Sequence, residues 1–456
     1  MNQPSALLER VSQKIGDRAL FWFGTRGTDA QPLLGLEQFA GVFSLVAPLE
    51  SGAADLVSFC LESASSRRVD LNAYSIDSDR SDAVDQLYRA IAHNISGPTV
   101  IAAYRPSDFL ASVCYPRGDL VEYLGLFHGR QSAFEHKAWV ENELAKEGIR
   151  TIPWRYYADY MLSDLEADVR NGRPDHTVIR ANTSDGGRGL LLVHREDQVL
   201  KIPQHFDHFF AAAPFLHPSI PLNVGACVYQ DASVSLHGPS VQLIGIESCV
   251  RGRFGYCGND FAATLDAIGK GAIQELEQMT TSIGVWLWRN GYVGAFGVDA
   301  LFHEGELYLT EINPRFQGSS ASSADLDDAL GRDNIFSHHL AACLGLDGPE
   351  QADATLCEIA VEQAKERYAL SNVICYNSSG GGMRLREDGV LPEPLGPHAT
   401  TYGIPRTEVI VEPEAMLFKI RTDLSVTDDG YALTEQTAID LVDAWVSSFE
   451  PEDQRT

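Results

Sequence analysis

The sequence predicts a mixed α/β and α+β protein in three parts. Three observations predict it. Strand-like and helix-like runs alternate through residues 1–125. An amphipathic helix followed by a strong hairpin marks residues 126–350. Short apolar runs separated by Gly, Pro and Ser clusters fill residues 351–456. The expected division is an N-terminal α/β domain over 1–125, a central α+β domain over 126–350 and a small β-rich domain over 351–456.

Ala19–Phe23, ending at Gly24, and Thr99–Tyr104, ended by Pro106, read as buried strands. Between them Val84, Leu87 and Ile91 recur at helical spacing within Ser81–Asn94. Gln131–Gly148 reads as one helix with Phe134, Trp139, Val140 and Leu144 on one side. His176–Arg180 and the run from Gly189 to Val193 are strands joined by a glycine-rich connection, and Val241–Ile246 is another. Ile273, Leu276, Ile283 and Leu287 mark a helix closed by Asn290-Gly291. Val373–Asn377, Gly381–Leu385 and Thr407–Val411 are short strands, and Thr434–Phe449 is a last helix.

Composition narrows the function classes. A net charge of −28 disfavours nucleic-acid binding, which needs a positive surface, and also an anionic membrane. Steering of a cationic substrate and simple solubility both fit the charge. No apolar run reaches transmembrane length, and the start lacks a signal-peptide core, so a cytoplasmic location is expected. The eight cysteines have no CxxC spacing and read as reduced core residues.

The chemistry concentrates in Gly294–Phe302, a turn at His303–Glu306, and Leu307–Arg315. Carboxylates inside apolar strands are unusual, because burying an unpaired charge is costly. A hard cation held by oxygens would neutralise them, and magnesium takes few protein ligands. Glu311 and Asn313 share a strand face. Asp299 joins them only with a three-residue turn or one bulge, since a two- or four-residue loop would pair it with Thr310. Arg315 is in reach of phosphates or a developing oxyanion.

Thr183–Gly189 contains Ser184, Asp185, Gly186, Gly187 and Gly189, and lets backbone N–H groups approach phosphate. It is neither a Walker A loop nor a dinucleotide fingerprint, since a strand rather than a helix follows. Lys137 and Arg180 flank it as candidate cations for a triphosphate. Arg251 and Arg253 read equally as a substrate-anion site or a solvated turn. His338 and His339 read as structural.

Together these motifs resemble the ATP-grasp superfamily from about Gln131 to Leu344. The carrying segments are KEGIRTIP, VIRANTSDGGRGLLLV and GVDALFHEGELYLTEINPRFQG. The resemblance implies an ATP-grasp fold of two α+β subdomains behind a pre-ATP-grasp-like N-terminal domain. It implies ATP and Mg2+ as cofactors, with Asp299, Glu311 and Asn313 as metal ligands, Lys137 and Arg180 as ATP contacts and Arg315 as the catalytic arginine. Two departures stand out. Arginine occupies position 180 where lysine is usual, and the hinge Ala211–Leu216 has no acid, which leaves Phe215 as the adenine neighbour. PLLGLEQF, PLNVGACVYQDASV and PSVQLIG further resemble pheganomycin-type peptide ligases and butirosin-pathway carrier-protein ligases.

The implied activity joins a small-molecule carboxylate to an amine, amino acid or peptide through an acyl phosphate, releasing ADP and phosphate. A carrier protein and a homo-oligomer stay open as partners. The competing readings are an ATP-grasp kinase and a nucleotide-binding regulatory protein.

Overall fold

The computed structural model describes residues 5–49, 56–171, 175–184, 186–195, 209–349, 354–365, 371–387, 399–427 and 433–452. Asp185 and the expected boundary at 350–351 lie outside them. The N-terminal layer is a five-stranded parallel sheet in the order Val57–Cys60, Phe39–Val46, Ala19–Arg26, Thr99–Ala103, Val121–Leu124. Its central strand carries Phe21, Trp22 and Phe23 as a near-continuous buried run, as expected of a parallel strand covered on both faces. The strand passes through Gly24 and ends at Arg26.

Four strands form a small antiparallel sheet, ordered Arg155–Ala158, Phe209–Pro214, His176–Ala181, Leu190–His194. The main body is a nine-stranded sheet built on Ile220–Val228, Ser240–Ile244, Tyr256–Asp260 and the hairpin Gly294–His303/Glu306–Asn313. Helix Thr264–Arg289 packs on it through Ile273, Leu276, Ile283 and Leu287. Strands Ser371–Tyr376, Met416–Thr422 and Thr400–Tyr402 extend this same sheet beyond Tyr256–Asp260. The C-terminal residues also contribute helices Leu356–Lys365 and Glu435–Ser448. Arg68, fully buried, ties the N-terminal layer to them. Its guanidinium binds Glu62 at 2.7 and 2.9 Å and donates to the carbonyls of Gly403, Met416 and Leu417.

One helix expectation is corrected. Gln131–Gly148 is two helices, His128–Phe134 and Lys137–Lys146. His136 caps the second, accepting from the Trp139 N–H at 3.2 Å, so the chain breaks there. Trp139 is more exposed than the single-helix pattern implied, at 37%. Gln131 donates to the Pro314 carbonyl at 2.6 Å, which fixes the first helix against the end of the hairpin. Of the cysteines, Cys343 and Cys357 are half-buried and the rest buried, all with free thiols. Among the described residues no helix is long and apolar enough to cross a membrane.

Candidate active site

The hairpin resolves the register question by a bulge. Its turn has two residues, Glu304 and Gly305, both with positive φ, and His303 pairs with Glu306. That register alone would set Asp299 against Thr310. Between Ala300↔Leu309 and Asp299↔Glu311 the ladder slips, leaving Thr310 as the extra residue. The bulge therefore lies on the second strand, several residues from the turn. On the other side Asn223 pairs with Asp299, so Asn223, Asp299 and Glu311 form one row across three strands.

Asp299 is the electrostatic centre. Its Oδ1 accepts from Asn223 at 2.7 Å, Gln242 at 3.1 Å and Gln317 at 3.3 Å, and its Oδ2 from Asn313 at 3.0 Å. Burial first, and then the neighbouring Glu311 charge, push its carboxyl up to about 7, against the pull of these amides and Arg315. Gly297 makes this possible. A Cβ there would come 1.7 Å from the Gln317 side-chain oxygen, filling the space through which Gln317 reaches Asp299.

Lys137 begins its helix and sends Nζ to within 3.4 Å of Glu311 and 3.3 Å of the Ser184 carbonyl. Arg180, on strand His176–Ala181, is held in a buried two-point pair with Glu141 at 2.5 and 2.8 Å and lies 4.2 Å from the Trp154 ring centre. Glu135 bridges the two arginines at the mouth. It binds Arg105 and lies 3.7 Å from Arg315 Nε.

Arg105, Lys137, Arg180, Asp299, Glu311, Asn313 and Arg315 line one cavity of about 450 Å³, with Glu135 and Glu141 behind its lining. One wall is apolar and aromatic, with Ile152, Trp154, Val178, Pro214, Phe215 and His217. Phe215 and His217 stack at 5.5 Å between ring centres. The floor is Asp299, Glu311, Asn313, Asn223, Gln242 and Gln317. The far wall, from the N-terminal layer and its neighbours, is Arg26, Tyr104, Arg105, Tyr256 and Tyr376. Ser184, Gly186 and Gly187 line it as well, whereas Gly189 does not. Gly187 has φ +81°, and a Cβ there would come 1.9 Å from the Phe254 carbonyl oxygen, so its bareness serves a protein contact. Arg253 lines the cavity; Arg251, two residues away, does not.

Two carboxylates and an amide are hard oxygen donors, and the raised Asp299 pKa marks a surplus of negative charge that a divalent cation offsets. The residues fit magnesium. Asn313 offers N–H2 to Asp299 here; the carbonyl branch of the same amide is the ligand atom a cation would take.

Comparisons with known proteins agree with this architecture. Residues 139–319 match the family described as ATP-grasp domain. The chain contains an ATP-grasp domain. No curated protein matches the chain. Among solved structures it is similar to biotin carboxylase from Campylobacter jejuni in a β,γ-ATP complex, at 15% identity and TM-score 0.60, covering 88% of this chain and 86% of that one. It is also similar to the N5-carboxyaminoimidazole synthase of Aspergillus clavatus in complex with ADP and 5-aminoimidazole ribonucleotide, at 16% identity and TM-score 0.57, covering 94% and 98%. A third is the biotin carboxylase domain of 2-oxoglutarate carboxylase from Hydrogenobacter thermophilus, with MgADP and bicarbonate, at 13% identity and TM-score 0.59, covering 89% and 86%. At these identities the likeness establishes the ATP-grasp fold.

Sequence reasoning missed the residues that hold this ATP-grasp site together. Glu141, Glu135, Asn223, Gln242 and Gln317 orient the named residues. Asn223 lay inside the apolar run Ile220–Val228, and a polar residue buried in a strand was the available signal.

Proposed function

We propose that this protein is an ATP- and magnesium-dependent carbon–nitrogen ligase that joins a carboxylate to an amine and releases ADP and phosphate. The observation that carries the reading is the bulge at Thr310, which turns Asp299 and Glu311 onto one face beside Asn313, in a cavity shared with Lys137 and Arg315. A structural hairpin has no use for a second carboxylate, Glu311, set where it raises the pKa of buried Asp299. The nucleotide-bound states of the three similar structures support the same assignment.

Asp299, Glu311 and Asn313 would hold the metal, which when bound would offset the negative charge of the phosphates. Lys137 and the N–H groups of Ser184, Gly186 and Gly187 orient the terminal phosphates, with Arg180 behind them. The apolar wall with Phe215 receives the base. A carboxylate oxygen of the substrate attacks the γ-phosphorus, the bond to the β-phosphate oxygen breaks, and ADP leaves. The amine then adds to the acyl carbon. The C–O bond to phosphate breaks with its electron pair on phosphate, and the ammonium proton passes to the departing phosphate or solvent. Arg315, steadied by Glu135, stabilises the tetrahedral oxyanion. Enclosure by the cavity keeps water from the acyl phosphate.

The finer assignment is an amide or peptide ligase of specialised metabolism, with an amino acid, peptide or carrier-bound acyl group as partner. The segments PLLGLEQF and PLNVGACVYQDASV support it. A division into functional parts at 1–125, 126–350 and 351–456 belongs to this proposal too. The test is a screen of acids, including bicarbonate, against amines for magnesium-dependent ADP release, followed by ¹⁸O in the carboxylate. Label is expected in inorganic phosphate as the C–N bond forms. Release of AMP and pyrophosphate, or a product that keeps the phosphoryl group, would overturn the reading.

A further inference from the structure

The ligase reading leaves the far wall of the cavity without a task. There the strand Ala19–Arg26 ends in Arg26, whose side chain lines the cavity yet is only 8% exposed. Its Nε donates to Asp29 Oδ2 at 3.1 Å. Its four terminal N–H donors have no hydrogen-bond partner among the described residues, although a buried guanidinium is costly unless its donors are met. Lys419, buried on the C-terminal strand Met416–Thr422, feels the charges of both Arg26 and Asp29, and burial lowers its pKa to about 8. It too has no ion-pair or hydrogen-bond partner among the described residues. Two cations thus face one carboxylate.

Tyr104, Tyr256 and Tyr376 surround Arg26, and each of their phenols acts on it electrostatically. The Tyr376 hydroxyl has no hydrogen-bond partner among the described residues. Tyr256 donates to Asn259 at 2.5 Å and feels both Arg26 and Asp299, so it stands between this wall and the acidic floor.

We infer that Arg26, with Tyr376, binds a carboxylate of the substrate that is not consumed, so that one of the two joined molecules carries a spectator carboxylate. The inference rests on the ligase reading for the identity of the floor. A guanidinium fork offers two parallel donors to the two oxygens of a carboxylate. The bound anion balances the surplus cation, and the distance from floor to wall selects substrate length. The carboxylate has two sources: the acid partner, as a dicarboxylate, or the amine partner, as an amino acid.

The test is equilibrium binding to the full chain saturated with MgADP, followed by thermal midpoint and calorimetry. The probes are the twenty amino acids, the C3–C6 α,ω-dicarboxylates, and the matched amides lacking the free carboxylate. Wild type should bind at least one carboxylate probe saturably and its amide match at least about tenfold more weakly. Arg26→Met should weaken the carboxylate probe about 30-fold and the amide match little. Tyr376→Phe, which changes no charge, should weaken it about threefold. Binding by amino acids alone assigns the site to the amine partner; binding by dicarboxylates alone assigns it to the acid. The MgADP-induced stabilisation, retained in both variants, is the folding control. Its absence in wild type would sink the ligase reading. If it is present, failure of every carboxylate probe to bind, or unchanged affinity in Arg26→Met, overturns this inference alone.

Discussion

Two carboxylate pairings beside one cavity stand in opposite electrostatic states. Glu141 meets Arg180 in a buried, two-point ion pair, and both charges are answered. Asp299 faces Glu311 across the hairpin, like against like, with Lys137 approaching Glu311 at 3.4 Å. The first arrangement is finished without a ligand. The second is held in place by amides and leaves like charges facing one another. What separates scaffold from site is whether the neighbouring charge cancels or adds.

The largest effect expected from this contrast is on activity at the floor. Glu311→Ala should lower ADP release by about 10³-fold or more, because a metal ligand is lost. Its thermal midpoint should hold or rise, since the repulsion with Asp299 goes with it. A variant that unfolds yet still binds MgADP when folded would make Glu311 structural and erase the contrast.

Glu141→Gln is the mirror experiment. It strips the counter-charge from buried Arg180 and should cost about 3 kcal/mol of stability in denaturant unfolding. An unchanged midpoint would mean that Arg180 finds phosphate or water as readily as Glu141, and that the pair is not scaffold.

Asp299→Asn should act in the opposite direction in the metal-free protein. The folded pKa is raised from 3.8 to about 7, so the protonated carboxyl is the form the fold favours. That stabilisation is full below pH 4 and is lost as pH rises through about 7. The variant should therefore match wild type near pH 4 and exceed it by about 1–2 kcal/mol at pH 8 without magnesium. A constant gap across that range would separate the effect from ionisation.

The outline of this contrast was legible in the sequence because strands alternate and carboxylates are rare inside them. Asp299, Glu311 and Asn313 stood out on composition, and the register argument required a three-residue turn or a bulge for Asp299 to face Glu311, of which the bulge is found. Its position at Thr310 was not legible, since no Gly or Pro marks it. The break at Glu135–His136 was hidden for a related reason. Helical spacing continued across it, and the tertiary pull of Arg105 and Arg315 on Glu135 has no local signature. Partners contributed by distant strands, such as Asn223 and Gln242, and the joining of residues after 370 to the central sheet, depend on topology that periodicity does not encode.

The smallest expected effect lies in the turn Cys249–Tyr256, where two arginines looked interchangeable. Both are exposed. Arg253 lines the cavity next to Phe254, whose carbonyl packs against Gly187 of the glycine-rich loop. Arg251 is absent from that lining and sits toward Gly380. An exposed charge at a cavity rim contributes little, so Arg253→Ala should raise the KM of the nucleotide or of one substrate by about threefold with kcat unchanged. Arg251→Ala should leave both constants within about twofold. Matching effects in the two variants would mean that the turn acts through net charge at the rim. A loss in Arg251→Ala alone would mean that the turn reorders when the cavity fills.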